Sequence, residues 1–324
     1  VIGVHAAAGA GIVNGETGRV KQAPGPIDTA GIFAHATRRL AIADCTILRT
    51  LAGILLEAGV DADVRGCELV APTSLGTAGT LSTGVLGISC IAYAGAVRLE
   101  RNAISDYERA IDVDAKTSSV AIEDNAITRQ LSPPSNFNPA LDLIARLPTY
   151  SYAIASRAAS TEIAENDIAL RDIDQGGILV SASGAVVAAN RVASTMQGPR
   201  ARALPVGIVA LETGQDNPAS NVAIRGNHCS GAMHAIVAAG ERRELFTGIT
   251  IAANDVTSSL LSEPPQTNDP VALGASIATA VRAGAVAAAI TCINAIGVAI
   301  EENGVSGWPL AVFADESDAV RCAA

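Results

Sequence analysis

The residues whose types and spacing could do chemistry start with Asp112 and Asp114, in the stretch AIDVDAK. Alternate residues of a strand share one face, so the two carboxylates are expected side by side. A carboxylate pair can act as acid and base on a glycosidic bond or hold Ca2+, and Lys116 follows closely. The bland alternative is a solvated acidic patch. A second acidic set comprises Glu100, Glu123, Asp124, Glu165 and Asp167, with Arg101 and Arg129 interspersed. Such a set either offers oxygen ligands to Ca2+ or solvates a surface and blunts edge-to-edge aggregation. Other chemistry is thinner. His228 and His234 flank Cys229 in GNHCSGAMH, a spacing that matches no zinc pattern. Six scattered cysteines include no CxxC, so no metal site or redox motif is read. The glycine-rich AAAGAGIVNGETG lacks the strand–helix context of a nucleotide loop. No cofactor is expected, Ca2+ being the one cation these carboxylates suit.

The elements that must position these groups come from a repeat. In SSVAIEDNAITRQL, Val120 and Ile122 alternate, Asn125 follows, and Ile127 comes next. The pattern apolar, any, apolar, any, any, Asn, any, apolar recurs around Asn102, Asn125, Asn166, Asn190, Asn227, Asn254 and Asn303. Two earlier copies carry Cys45 and Cys67 in the Asn slot. Self-similarity at this period marks a repeat architecture. The alternating residues turn one strand face inward. The polar residue sits where the chain bends, since Asn tolerates left-handed backbone and bonds locally. Stacked copies would form an amide ladder along the repeat axis. Cys45 and Cys67 then lie one coil apart, about one strand spacing of ~4.8 Å. That spacing allows a disulfide or two buried, stacked thiols.

On these residues, from about 28 to 308, the sequence resembles the right-handed parallel β-helix of the pectate-lyase-like superfamily. The resemblance implies an all-β solenoid of about nine to eleven coils with an Asn/Cys corner ladder. In those enzymes the strand face before the corner commonly carries acidic and basic catalytic groups. Here that face reads as mostly apolar: Phe33, His35, Leu55, Glu57, Ser89, Ile91, Ala153, Ala155, Leu179, Ser181, Val209 and Leu211, with Asp112 and Asp114 the exception. The Asn-Thr-Asp, Asp-Asp, Gly-His-Gly and Arg-Ile-Lys blocks of polygalacturonases are absent.

Corner-to-corner intervals run 22, 35, 23, 41, 24, 37, 27 and 49 residues, so short and long coils alternate. The long coils carry proline-rich insertions near 70–88, 131–152, 195–206 and 260–289. Proline interrupts strand pairing, so these are read as loops or small lids leaving one corner. The stretch ALGASIATAVRAGAVAAA in the last insertion reads as helical. One β-helix domain is expected over 1–324: an entry coil at 1–36, regular coils at 37–308 and a C-terminal cap at 309–324. The uncapped start suggests a piece of a larger protein or assembly.

Composition bounds the function. The chain has 324 residues, a net charge of −10, 49% hydrophobic and only 3% aromatic residues, and a mean hydropathy of +0.34. No basic stripe is present, which argues against nucleic acid as partner. Residues 281–300 are long enough to consider as a membrane span, but Arg282, Thr291 and Asn294 interrupt them, and no span is read. Two function classes stand. The first is a non-catalytic structural or binding module that presents its loop-bearing face to a protein or polysaccharide, with a homo-oligomer within reach of the fold. The second is a polysaccharide lyase or glycoside hydrolase acting on an extracellular polysaccharide through Asp112 and Asp114. Either way an extracellular or cell-surface location is expected.

Overall fold

The computed structural model describes residues 30–323 apart from 49, 72–83, 129–140, 172–173, 195–204, 213–218, 242–245, 259–269 and 284. Of the first 29 it describes only 6–7, 11–13 and 20–21. Most of the expected entry coil at 1–36 and of the insertions near 70–88 and 195–206, and the first part of those near 131–152 and 260–289, lie outside the described residues.

Each repeat folds into three short strands, one in each of three parallel sheets, and the protein is a right-handed parallel β-helix. One coil runs through Tyr107–Val113 in the first sheet, Ser119–Glu123 in the second and Ala126–Thr128 in the third. The chain divides into two compact units. Unit one comprises Val1–Pro133 with Tyr152–Ile168, and unit two Pro134–Ser151 with Ala169–Ala324.

In unit one the inward isoleucines of the first sheet stack in register: Ile32, Ile54, Ile88, Ile111 and Ile154. Unit two repeats the arrangement with Ile178, Ile208, Ile236, Ile290 and Val312. Branched side chains suit a pleated surface, and every isoleucine in these stacks is buried.

The corner ladder is continuous within each unit. In unit one the Oδ1 of Asn125 accepts from the backbone N–H and from the Nδ2 of Asn102, both at 3.0 Å. Asn125 in turn donates to Asn166 Oδ1 from its backbone at 3.0 Å and its side chain at 2.9 Å. Asn190, Asn227, Asn254 and Asn303 do the same in unit two. The left-handed residue at the corner is, however, not the asparagine. It is the residue before it: Asp44, Gly66, Arg101, Asp124, Glu165, Ala189, Gly226, Ala253 and Glu302 all have φ between +52° and +63°. The preceding residue makes the bend, and the asparagine bonds the groups that the bend leaves unpaired. At the start of the ladder, Cys67 N–H donates to Asn102 Oδ1 at 3.0 Å. Cys45 and Cys67 are both free thiols and buried. Burial pushes the Cys67 thiol pKa up to about 11, against the lowering effect of a backbone hydrogen bond with Cys45.

A second column has no counterpart in the sequence reading. A Cβ on Gly31, Gly53, Gly87 or Gly177 would run into an inward side chain of the third sheet: Ile47, Leu69, Ile104 or Val192. It would also meet the backbone of the next coil. These glycines therefore face inward, immediately before an isoleucine that also faces inward. Strict alternation breaks there, and Leu86, before Gly87, is partly exposed.

Insertions contribute two helices in unit two. These are α1, Leu143–Arg146, followed by a 3-10 turn at Leu147–Thr149, and α2, Pro270–Arg282. Residues 281–300 end α2 and then form Ala288–Ile293 and Ala299–Glu301. No helix among the described residues is long and apolar enough to cross a membrane. The segment read as a C-terminal cap carries Leu310–Asp315 and Arg321–Ala323, in parallel register with the strands of the preceding coil.

Candidate functional site

In unit one the outer face of the first sheet is only partly covered. Its polar centre is Asp112, in register with the buried Ser89 on one side and Ala155 on the other. Asp112 Oδ1 accepts from Arg157 Nη2 at 3.2 Å and lies 3.6 Å from Arg109 Nη1. The carboxylate side chain is 15% exposed, whereas the two arginines are 39% and 42% exposed. Both guanidinium groups therefore keep donors free for a partner in solution. Farther along the same face His35 Nδ1 lies 3.4 Å from Glu57 Oε2.

Asp114 does not join this group. Its Oδ1 accepts from Ala92 N, Thr117 N and Thr117 Oγ1 at 2.9–3.0 Å, which ties down the turn after the strand. The two carboxylates leave the same strand, but the turn takes one of them.

Arg109 escaped the sequence reading because strict alternation fails on its strand. Strict alternation from Asp112 assigns position 110 outward and position 109 inward. The break at the glycine column reverses this: Ala110 and Ile111 are both buried and Arg109 faces out. Arg157 was missed because it lies one residue past the strand Ser151–Ser156: the register pairs Asp112 with Ala155, leaves Ala153 buried and brings Arg157 within reach of Asp112. The signal for the break was a glycine immediately before an isoleucine in successive strands, in AGIFAH, AGILLE and GVLGISCI.

The second acidic set forms ion pairs on the second sheet. Glu100 and Glu123 face each other in register, and Arg98 reaches both, at 3.2 and 3.1 Å. Arg101 joins Glu100 at 3.0 Å. Asp124 and Glu165 occupy left-handed corner positions, and Asp167 is exposed beside the ladder. No group of three or more His, Cys, Asp or Glu is arranged to hold a metal among the described residues.

The first sheet of unit two differs. Its strands Gln175–Val180, Val206–Glu212, His234–Gly240 and Ala288–Ile293 are buried at every residue. Under the cover lies His234, with Nδ1 3.1 Å from Thr291 Oγ1. Burial, and then the charge of Arg146, lower its pKa to about 3, so it is neutral.

The class these features define is the parallel β-helix. No family model matches the chain, and no curated protein matches it. Among solved structures it is similar to a double mutant of the periplasmic alginate epimerase AlgG, at 13% identity and a TM-score of 0.36. The match covers 91% of this chain and 70% of that one.

Proposed function

We propose that the protein is a β-helix binding module that docks a glycan on the outer face of the first sheet in unit one. The observation carrying this reading is a carboxylate, Asp112, held between two half-exposed arginines on a mostly apolar face. Guanidinium forks suit paired acceptors such as a sugar carboxylate or vicinal hydroxyls, and Asp112 accepts from a hydroxyl. Two cations against one carboxylate favour an acidic glycan locally, although the chain carries a net charge of −10. An extracellular or cell-surface location belongs to the same proposal, since a glycan partner of this kind would be met there.

The same triad keeps a second reading alive: a polysaccharide lyase or hydrolase in which the arginines neutralise a uronate beside an Asp112 base. One experiment separates the two. Calorimetric titration with oligouronates and with neutral oligosaccharides is run beside assays for unsaturated ends and new reducing ends. The binding module predicts saturable binding of the acidic series without turnover, weakened at least tenfold by Arg157→Ala. Turnover that disappears in Asp112→Asn would replace it with the enzyme. Absence of binding to either series sinks both.

A further inference from the structure

In unit one a cavity of about 570 Å³ opens at the corner where the first sheet passes into the second. Among the described residues its walls are Arg38, Arg39, Val60 and Asp61. Two successive coils build it. Arg38 lies beside Val60 in parallel register, at the start of the strands Arg38–Ala43 and Val60–Arg65. Consecutive side chains of a regular strand leave opposite faces. Here the second residue of each strand is left-handed, Arg39 at φ +53° and Asp61 at φ +59°. Both neighbours of each pair therefore line one cavity. Asp61 Oδ1 accepts from Ala96 N at 3.0 Å, which fixes the carboxylate in place.

The cations of this corner are not spent on carboxylates. On the same sheet Arg65 lies 3.8 Å from Asp63, and Arg98 lies 3.2 and 3.1 Å from Glu100 and Glu123. Arg38 and Arg39 have no ion-pair partner among the described residues, although the chain carries a net charge of −10. We propose that the corner binds a small acidic sugar: Arg38 and Arg39 take its acid group, Asp61 accepts from a hydroxyl, and Val60 packs on the C–H face of the ring.

Each wall selects one part of that ligand. Guanidinium forks match the oxygens of a carboxylate or a phosphate, and either acid group meets the same donors. A neutral sugar leaves both cations unanswered. Asp61 sets the second requirement. A fully ionised anion such as sulfate has no hydrogen to offer it and is repelled by its charge, whereas a sugar hydroxyl donates to it. Val60, 38% exposed, supplies the apolar wall. The volume falls in the range of roughly 300–1,000 Å³ that small-molecule sites occupy, more room than a bare anion needs. The corner shares no residue with the Asp112 face, and the proposal does not rest on that reading.

The test is calorimetric titration of the full chain with glucuronate, glucose 6-phosphate, glucose and inorganic sulfate. An acidic sugar should fill one site per chain that Arg38→Gln and Arg39→Gln each weaken about tenfold or more. The tighter of the two acidic arms identifies the acid group as carboxylate or phosphate. Glucose and sulfate should bind that site about tenfold more weakly or worse. Both arginines are exposed, so the variants should melt with the parent chain. Asp61→Asn keeps an acceptor for Ala96 N and should narrow the gap between the acidic sugar and sulfate. Isotherms unchanged by both arginine substitutions would put any bound sugar elsewhere, the Asp112 face included, and overturn the corner site. Sulfate binding as tightly as the acidic sugars would reduce it to a plain anion site and overturn the sugar assignment. Equal weakening by Arg321→Gln, an exposed arginine of unit two, would trace the effect to overall charge and overturn the site as well.

Discussion

Asn125 supplies at a corner the partners that no neighbouring strand provides there. Its Oδ1 takes two donors from Asn102, and its Nδ2 lies within 3.0 Å of Leu99 O, Glu123 O and Asn166 Oδ1. Removing one rung strands buried groups on both adjacent rungs, and an orphaned buried group costs about 1–3 kcal/mol. Asn125→Ala should therefore lower stability by on the order of 3 kcal/mol, read from urea unfolding midpoints at unchanged slope. A loss below roughly 1 kcal/mol would mean that water replaces the rung. The division of labour at the corner was only half legible in the sequence. The asparagine repeats because its hydrogen bonds require it. The left-handed residue before it is Asp, Arg, Glu, Ala or Gly in different copies, so it carries no pattern. Asp112 and Asp114 teach the same lesson. Their shared strand is legible from spacing, but only the positions of Ala92 and Thr117 show that Asp114 belongs to a turn.

The strand of the first sheet is set as an element by its glycine column. Gly87 faces Ile104 and the Ala110 carbonyl so closely that even a methyl group cannot be placed without movement. Gly87→Val should destabilise the fold by about 1–3 kcal/mol through overpacking. It should also turn Arg109, on the adjacent strand, away from Asp112. A thermal melt measures the first effect and glycan titration of the same variant the second. A variant with parent stability and parent binding would show that the break in alternation does not depend on the glycine. Element length and periodicity were readable because an inward isoleucine or valine recurs coil after coil. The break was not, because a glycine inside a strand reads equally as a packing contact or as local weakness. The helices of the insertions follow a similar rule. Residues 270–282 announce a helix by composition, but the place where it docks depends on Arg282 meeting Asp315 and Glu316, some thirty residues away.

Across the whole molecule the excess negative charge is organised. The acidic residues of the second sheet alternate with arginines, and exposed pairs of this kind contribute little stability individually. Cation binding needs several oxygens freed from such pairing. Thermal melts in excess EDTA and in millimolar Ca2+ should therefore overlay. A rise of several degrees with Ca2+ would assign Glu100, Glu123 and their neighbours a cation in place of Arg98 and Arg101. The sequence by itself determined the β-helix, the positions of its corners and the inward stacks, because each rests on short-range periodicity repeated coil after coil. Only the tertiary structure decided which side chains meet: Asp112 with Arg109 on its own strand and Arg157 on the next coil, and His234 with Thr291. Arg157 and Thr291 lie 45 and 57 positions from their partners, and the meetings depend on inter-coil register and on one break in alternation, which no local pattern records.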